Sequence, residues 1–394
     1  MAARIFGLRF SIYYAFMSIG NGMQLPFLPL WLHAKGLTVA EIALAFAGMT
    51  ACRIVAVPLV AILADKYRNR RSLIIVCGFI SFFGYLLLAT ASGFWQIFLI
   101  SFSAALFTAP IMTLAEGFSV DGSAAHGLDY GRLRLWASLS FLVGNLGGGL
   151  LLLYIPITSL IYLVALAQGV SAGVAFLLPP DPESAQPHVA IDQPGNSARA
   201  RKLLLPGPFM IFVIAASLGQ ASHAMLYTIG PVHWDSLGYD KFTIGSFWAI
   251  SIVAEVTLFS VSNALVKRFG PIGLIVMGIS GGVIRWIFMA QDPGLAATLV
   301  LQAFHAVSFA MVHLGTMHYI RQTVPTGLRN SAQGLYAAIS GGIGLSAAMW
   351  LSGMFYGELL GKTYLVMAAI SLAALSFALA LKRISPTARA AADT

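Results

Sequence analysis

The most constraining feature of this chain is a run of 23 consecutive residues, Ile244 to Val266, that contains a single charged side chain, Glu255. A stretch this long and this apolar is typical of a membrane-spanning helix, which needs about 20 predominantly apolar residues. Glu255 is the twelfth residue of the run, so it is predicted to lie near the middle of the bilayer. An ionisable group at that depth is costly, and we expect it to be paired, protonated or in contact with water.

Two similar runs follow it along the chain. Ile272 to Met289 contains one charge, Arg285, and Leu295 to Met317 contains His305 and His313. An acid, a base and two titratable imidazoles in three successive predicted spans indicate a path for protons or ions. Only 9% of all residues are charged, against about 25% in soluble domains, and the mean hydropathy is +0.83. The sequence therefore predicts an integral membrane protein built from helices.

Twelve membrane spans are predicted in all. They cover residues 7–32, 38–63, 72–91, 94–117, 132–154, 157–178, 208–233, 242–266, 271–289, 294–318, 329–353 and 363–382. Between the sixth and seventh spans the composition changes to Pro, Asp, Ser, Gln and basic residues, which is typical of a polar linker. The prediction is an all-α membrane protein with an N-terminal six-helix bundle (1–178), a cytoplasmic linker (179–207) and a C-terminal six-helix bundle (208–394).

The 23 Lys and Arg residues are divided unevenly between the two sides of the predicted membrane. One set of loops and chain ends holds 18 of them, the opposite set holds Lys35, Lys241 and Lys362, and the spans themselves hold Arg53 and Arg285. Because cytoplasmic loops carry the excess of basic residues, both termini are predicted to be cytoplasmic. This bias also explains the net charge of +9 without a nucleic-acid partner.

The two predicted halves resemble each other at an offset of 202 residues. The offset places Pro29 on Pro231 and Gly36 on Gly238 without a gap. Many transporters are built from repeated six-helix halves around a central site that opens alternately to each side of the membrane.

Glu255, His305 and His313 are the predicted proton-coupling residues. Burial disfavours the charged form of a carboxyl group, so Glu255 is expected to bind and release a proton. The alternative is a permanent ion pair with an arginine of a neighbouring helix. His305 and His313 are eight residues apart and hence lie close to one helix face. Their imidazoles are expected to relay protons, and the alternative is that they pack as hydrogen-bonded core residues. Two histidines at this spacing do not predict a metal site.

Other polar residues within the spans are predicted to contact the substrate. A guanidinium group matches a carboxylate with two parallel hydrogen bonds, which makes Arg285 and Arg134 candidates for holding an anion. The alternatives are a helix-locking partner of Glu255 for Arg285 and a basic cytoplasmic helix end for Arg134. Arg53 is predicted to bind the anion or to gate its path. Glu116 and His223 are predicted to line the cavity, with a helix end as the alternative for Glu116.

The segment after the second predicted span, AILADKYRNRR from Ala61 to Arg71, contains a recognisable loop motif. It keeps Asp65 and the basic cluster, including Arg70, of the signature Gly-x-x-x-Asp-Arg/Lys-x-Gly-Arg-Arg/Lys, but lacks both glycines. Together with twelve spans in two sets of six, this motif resembles the major facilitator superfamily. The resemblance implies the major facilitator fold and a role in conformational switching for Asp65 and Arg70.

Four further stretches resemble the 3-phenylpropionic acid transporter family. They are LDYGRLRLW (128–136), VAEV (253–256), GVIRW (282–286) and HLGTMHYI (313–320). The resemblance covers nearly the whole chain. It implies uptake of an aromatic carboxylic acid together with a proton.

The layout is also similar to that of lactose-permease-type symporters. That resemblance implies a substrate-binding carboxylate on the fourth helix and a substrate-binding arginine on the fifth. It also implies a carboxylate on the eighth helix, an arginine on the ninth and a histidine on the tenth, which join substrate binding to proton transfer. The matching positions are Glu116, Arg134, Glu255, Arg285 and His305. Phe141 matches an aromatic residue that lies two turns beyond the fifth-helix arginine. Those symporters carry a glutamate one turn after the histidine, where this chain has Ser308, so Glu255 is the expected host of the proton.

The predicted function is proton-coupled uptake of a small aromatic carboxylate by a monomer in the bacterial inner membrane. No cofactor, metal or catalytic residue is predicted, because the sequence contains no nucleotide-binding loop, metal-ligand spacing or nucleophile elbow. A nucleoside or oligosaccharide proton symporter is the nearest alternative. A drug or metabolite efflux antiporter is the next, since the glycines of the fifth span partly match the antiporter signature but lack its proline.

Overall fold

A computed structural model describes residues 2–67, 69–181, 207–325 and 328–384 of the chain. Within these residues the secondary structure is helical, with no β-strand. The predicted linker lies outside the described residues except at its two ends. Asp65 belongs to a described helix, but its side chain lies outside the part of the chain that the structure describes, so its predicted role as a switch stays a prediction.

The described helices group in chain order into twelve segments, here called spans 1 to 12, as the sequence predicts. Span 1 is Ala2–Ala34; span 2, Val39–Ala51 and Arg53–Tyr67; span 3, Arg70–Thr90; span 4, Phe94–His126; span 5, Tyr130–Leu151; span 6, Ile157–Ser159, Leu160–Val174 and Ala175–Leu177; span 7, Gly207–Ala221, Ala224–Thr228 and Gly230–Ser236; span 8, Lys241–Ser260 and 262–269; span 9, 271–289; span 10, Leu295–Ala303, Ala306–Met311 and Val312–Thr323; span 11, Arg329–Ala337, Ala338–Gly344 and Leu345–Leu359; and span 12, Tyr364–Ile384.

Eight helices among the described residues are long and apolar enough to cross a membrane, judged by length and composition. One of them, Ser262–Met289, contains the turn between spans 8 and 9. Gly270 in this turn has a φ of 66° and is not helical. Pro271 then begins span 9, because its fixed φ suits the first turn of a helix. This is the tight hairpin that the Gly-Pro pair indicates in the sequence.

The internal repeat is visible in the backbone at the start of spans 2 and 8. Gly36 and Gly238, which are 202 residues apart, both have a φ of 88°, a conformation that favours glycine. Two residues later, Thr38 and Asp240 each use a side-chain oxygen to accept the backbone N–H three residues further on. Both turns therefore end one helix and cap the next in the same way.

The described residues pack into two compact units. The first consists of residues up to 181 together with Tyr227–Ala249, and the second consists of 207–226 and 250–384. Each unit has its own apolar core: Phe10, Tyr13, Tyr14 and Phe118 belong to the first, and Phe212, Ile275, Ile279 and Val312 to the second. The predicted bundles differ from these units in the assignment of residues 227–249, and the predicted boundaries stay a prediction.

Spans 1 and 5 of the first unit pack with their backbones in contact. A Cβ atom at Gly22 would collide with the carbonyl oxygen of Phe141, and a Cβ atom at Gly144 would collide with the carbonyl oxygen of Ile19. Small residues at a helix crossing allow this close approach in membrane proteins. The crossing fixes span 5, which carries Arg134, against span 1.

Candidate functional site

Arg285 of span 9 is the centre of a buried polar cluster in the second unit. Its side chain is 0% exposed. One terminal nitrogen, Nη1, is 2.8 Å from His305 Nδ1 and donates to Ser308 Oγ at 3.1 Å, while Nη2 donates to Gln302 Oε1 at 2.9 Å. The guanidinium carbon also lies 4.7 Å from the centre of the Trp286 ring. Three side chains of span 10 therefore hold the guanidinium group away from the lipid.

His305 connects Arg285 to Glu255 of span 8. Its Nε2 atom is 3.0 Å from Glu255 Oε1. Because an arginine only donates hydrogen bonds, the Nδ1 atom of His305 must accept from Arg285, and the proton of the neutral imidazole is assigned to Nε2. That N–H donates to the Glu255 carboxylate. The order of groups is therefore guanidinium, neutral imidazole and carboxyl group, and the role of Glu255 stays a prediction.

A π-helical segment, Ala306–Met311, places the aromatic rings of span 10 in a row. The rings of His305 and Phe309 stack at 4.9 Å, and those of Phe309 and His313 stack at 6.3 Å with only 3° between their planes. A π turn is wider than an α turn, so a residue eight positions on returns toward the starting face. His305 and His313 thus share one face, as predicted. The Glu255 charge also interacts with His313.

A second branch of the cluster runs from Ser308 to span 7. Ser308 Oγ is 3.1 Å from Nε2 of His223, and His223 Nδ1 is 3.2 Å from the carbonyl oxygen of Gln220. Ser308 accepts from Arg285, so its own hydroxyl hydrogen is available to His223. Span 7 is interrupted at this point, between Ala221 and Ala224. Lactose-permease-type symporters carry a glutamate at the position of Ser308. In this chain the serine instead links Arg285 to His223, which is fully buried.

The predicted pair on spans 4 and 5 also meets. Arg134 Nε is 3.1 Å from Glu116 Oε1, and the two side chains are 35% and 40% exposed. An ion pair as exposed as this contributes only about 0–1 kcal/mol to stability, so it separates at little cost. The hydroxyl of Tyr14, from span 1, is 2.6 Å from Ser119 Oγ, one turn beyond Glu116 on span 4.

Two other predicted substrate residues, Arg53 and Phe141, lie outside these two clusters. Arg53 begins the second helix of span 2, directly after the break at Cys52, and its side chain is exposed. The side chain of Phe141 is half-buried in span 5, two turns beyond Arg134. Arg53, Phe141 and His223 stay predicted substrate-binding residues.

Arg70, at the start of span 3, lies in a charged cluster that sequence reasoning did not find. Its Nε and Nη2 atoms donate to the two carboxylate oxygens of Asp181 at 2.9 and 2.7 Å, and Nη1 donates to Asp121 at 2.6 Å. Arg70 and Asp181 are both buried. The bidentate pair holds the last described residue after span 6 against span 3. The predicted role of Arg70 in conformational switching stays a prediction.

Among the side chains that the structure describes, no group of three or more His, Cys, Asp or Glu residues comes together in a way that holds a metal ion. The polar clusters above are instead joined by hydrogen bonds and ion pairs.

A family model described as the MFS_1-like family matches residues 8–368, which is nearly the whole chain. The chain belongs to this family. This MFS_1-like protein is 27% identical over 355 residues to the probable 3-phenylpropionic acid transporter of Escherichia coli (strain K12), a match that covers 90% of the chain and 92% of the relative. It is 24% identical over 358 residues to the maltose permease of Geobacillus stearothermophilus, covering 90% and 87% of the two chains.

The fold of this MFS_1-like protein is that of solved transporters. The crystal structure of a mutant of the nucleoside transporter NupG matches it with a TM-score of 0.86 at 17% sequence identity, covering 95% of this chain and 99% of that one. The protein therefore has the major facilitator fold, with twelve transmembrane helices in two pseudo-symmetric six-helix bundles. It is a multi-pass membrane protein and a secondary transporter.

Proposed function

We propose that this transporter imports a small aromatic carboxylate together with a proton across the bacterial inner membrane, as a monomer with both termini in the cytoplasm. The observation that carries the proposal is the buried chain of Arg285, His305 and Glu255 inside a secondary transporter. Ionisable groups inside the membrane are costly and are typically parts of ion or proton pathways.

Glu255 is the proposed proton carrier, assisted by His305 and His313. When Glu255 is ionised, the His305 N–H and the nearby Arg285 charge stabilise its carboxylate. A proton on Glu255 removes this buried negative charge and weakens its bond to His305. The side chain of Glu255 is 21% exposed, whereas that of Arg285 is fully buried. A group that has different partners in its two protonation states biases the conformational equilibrium of the carrier.

Arg134 is the proposed anchor for the substrate carboxylate. It is more accessible than Arg285, whose guanidinium is fully enclosed and already donates to three side chains. Phe141, on the same face of span 5, offers a ring against which an aromatic substrate would pack. The relative from Escherichia coli with an aromatic acid in its name supports this choice of cargo. Asp65 and Arg70 are the proposed switch residues.

A nucleoside or oligosaccharide proton symporter is the second candidate. Arg134 is already paired with Glu116, and a pair with both donors and acceptors also suits a solute rich in hydroxyl groups. The maltose permease among the relatives and the nucleoside transporter among the solved structures are consistent with this alternative.

Uptake of labelled solutes by cells that express the protein separates these candidates. We expect uptake of 3-phenylpropionate above that of cells with an empty vector, and no such difference for a nucleoside or a disaccharide. Protein-dependent uptake of the nucleoside or the disaccharide alone would replace the proposed cargo and keep the transporter class.

A further inference from the structure

A second pair of polar residues joins spans 8 and 10 beside the contact between Glu255 and His305. The Ser251 hydroxyl donates to the backbone carbonyl oxygen of Gln302 at 2.9 Å and lies 3.2 Å from the side-chain oxygen, Oε1, of the same residue. Gln302 Oε1 also accepts from Arg285 Nη2 at 2.9 Å. Ser251 and Gln302 are both buried. Hydrogen bonds in such a low-dielectric site are stronger than the same bonds in water.

The two pairs form neighbouring contacts between the same two helices. Ser251 lies four residues before Glu255 on span 8, and Gln302 lies three residues before His305 on span 10. Residues three or four apart share one face of a helix, so about one turn separates the two contacts along both spans. Arg285 of span 9 touches both contacts, because its Nη2 atom donates to Gln302 and its Nη1 atom donates to His305.

The two contacts respond differently to a proton. The contact between Ser251 and Gln302 joins a hydroxyl group to carbonyl oxygens, and neither side chain changes its charge between acidic and neutral pH. The contact between Glu255 and His305 joins two titratable groups. A proton on the Glu255 carboxylate removes the charge to which His305 donates. It therefore acts on one of the two contacts and leaves the other unchanged.

We propose that Ser251 and Gln302 are positioning residues for the proton carrier. Their contact holds span 8 against span 10 in both protonation states of Glu255, so the ionised carboxylate returns to His305 each time a proton is released. The Gln302 side chain keeps Arg285 beside His305 in the same way. The inference rests on the proposed function, of which it uses the proton coupling and not the cargo.

The test compares two transport assays in liposomes that contain the purified full-length protein. Net uptake of 3-phenylpropionate is measured under an inward proton gradient, and exchange of labelled for unlabelled 3-phenylpropionate is measured without a gradient. Ser251→Ala is expected to lower the ratio of net uptake to exchange by about fivefold, as for the loss of one neutral hydrogen bond. Ser251→Thr keeps the hydroxyl group and should restore the ratio.

Two further variants locate the effect within the contact. Ser260→Ala makes the same chemical change at an exposed position of span 8, where the hydroxyl donates to the carbonyl oxygen of Thr257 in its own helix. It should leave the ratio unchanged. Gln302→Met removes the side-chain acceptor of Arg285 and keeps the backbone carbonyl that accepts from Ser251. It should lower the ratio at least as much as Ser251→Ala, because a hydrogen bond to a charged group is lost.

A double variant separates positioning from a purely structural role. Adding Ser251→Ala to Glu255→Gln should not lower exchange further, because the group that Ser251 positions no longer titrates. A wild-type ratio in Ser251→Ala, or slower exchange in the double variant than in Glu255→Gln, would overturn the inference and leave the proposed function intact.

The wild-type protein tests the proposed function in the same assays. Gradient-driven uptake of a nucleoside or disaccharide in place of 3-phenylpropionate, with the same loss in Ser251→Ala, would replace the cargo and support the inference. Wild-type uptake that does not respond to the proton gradient would overturn the proton coupling and the inference together.

Discussion

Glu255→Gln is expected to abolish accumulation of substrate driven by a pH gradient while leaving exchange of preloaded substrate close to the wild-type rate. Glutamine keeps an oxygen that accepts the hydrogen bond from His305 Nε2, which is 3.0 Å from the carboxylate in the present structure, but it cannot change its protonation state. The carrier is therefore fixed in a state that resembles the protonated one, which reorients with substrate bound and does not return a proton.

The measurement compares two assays of the same reconstituted protein. One follows net uptake into liposomes under an inward proton gradient, and the other follows exchange of labelled for unlabelled substrate with no gradient. Glu358→Gln serves as the matched control, because it removes an exposed carboxylate of the same type. Loss of both activities in Glu255→Gln, from a protein with unchanged thermal stability, would contradict a role dedicated to the proton.

Arg134→Gln is expected to lower kcat/KM for 3-phenylpropionate by about tenfold or more, since a hydrogen bond to a charged group contributes about 1.5–3 kcal/mol and the 35% exposure of Arg134 favours the lower end of that range. The kcat/KM of Arg134→Lys should lie between those of the wild type and Arg134→Gln, because lysine keeps the charge but not the paired hydrogen bonds. Initial rates of uptake over a range of concentrations measure the effect.

Arg132→Gln is the matched control for this series. Arg132 is exposed and lies two residues before Arg134 on the same helix, so it faces a different direction. Its loss should leave kcat/KM within about twofold of wild type, as for a surface charge at a helix end. Wild-type kcat/KM in Arg134→Gln would show that the substrate carboxylate binds elsewhere.

The helical fold could be predicted from the sequence because long apolar runs with few charges have one stable arrangement in a bilayer. The turns at Gly36 and Gly238 could also be predicted, because the same residues recur at one offset. In the structure both glycines adopt the same φ. Span 4 continues to His126, beyond its predicted end at residue 117, because Gly127 in a left-handed conformation provides the actual helix stop. Helix ends outside the apolar run depend on such caps rather than on hydropathy.

Part of the candidate site could likewise be read from the sequence. Single charges in apolar runs identified Glu255 and Arg285, and the structure brings both to His305. The link from Ser308 to His223 could not be found in this way, because it depends on the π-helical segment of span 10 and the break in span 7. Both features are set by tertiary contacts, and neither has a signal in hydrophobic periodicity.

The bond between Arg70 and Asp181 illustrates the same limit for distant residues. The loop motif marks Arg70, but its partner is 111 positions away, directly after span 6. Pairing between residues this far apart follows from how the helices pack. It becomes visible only when the fold is known.

The most direct test of proton-coupled aromatic acid transport is the external pH of lightly buffered cells that express the protein, recorded as a solute is added. We predict that 3-phenylpropionate alkalinises the medium in a manner that depends on the protein, and that a nucleoside and a disaccharide do not. Alkalinisation by the nucleoside or disaccharide in place of the aromatic acid would contradict the proposed cargo. No pH change with labelled 3-phenylpropionate entering the cells would contradict proton coupling itself.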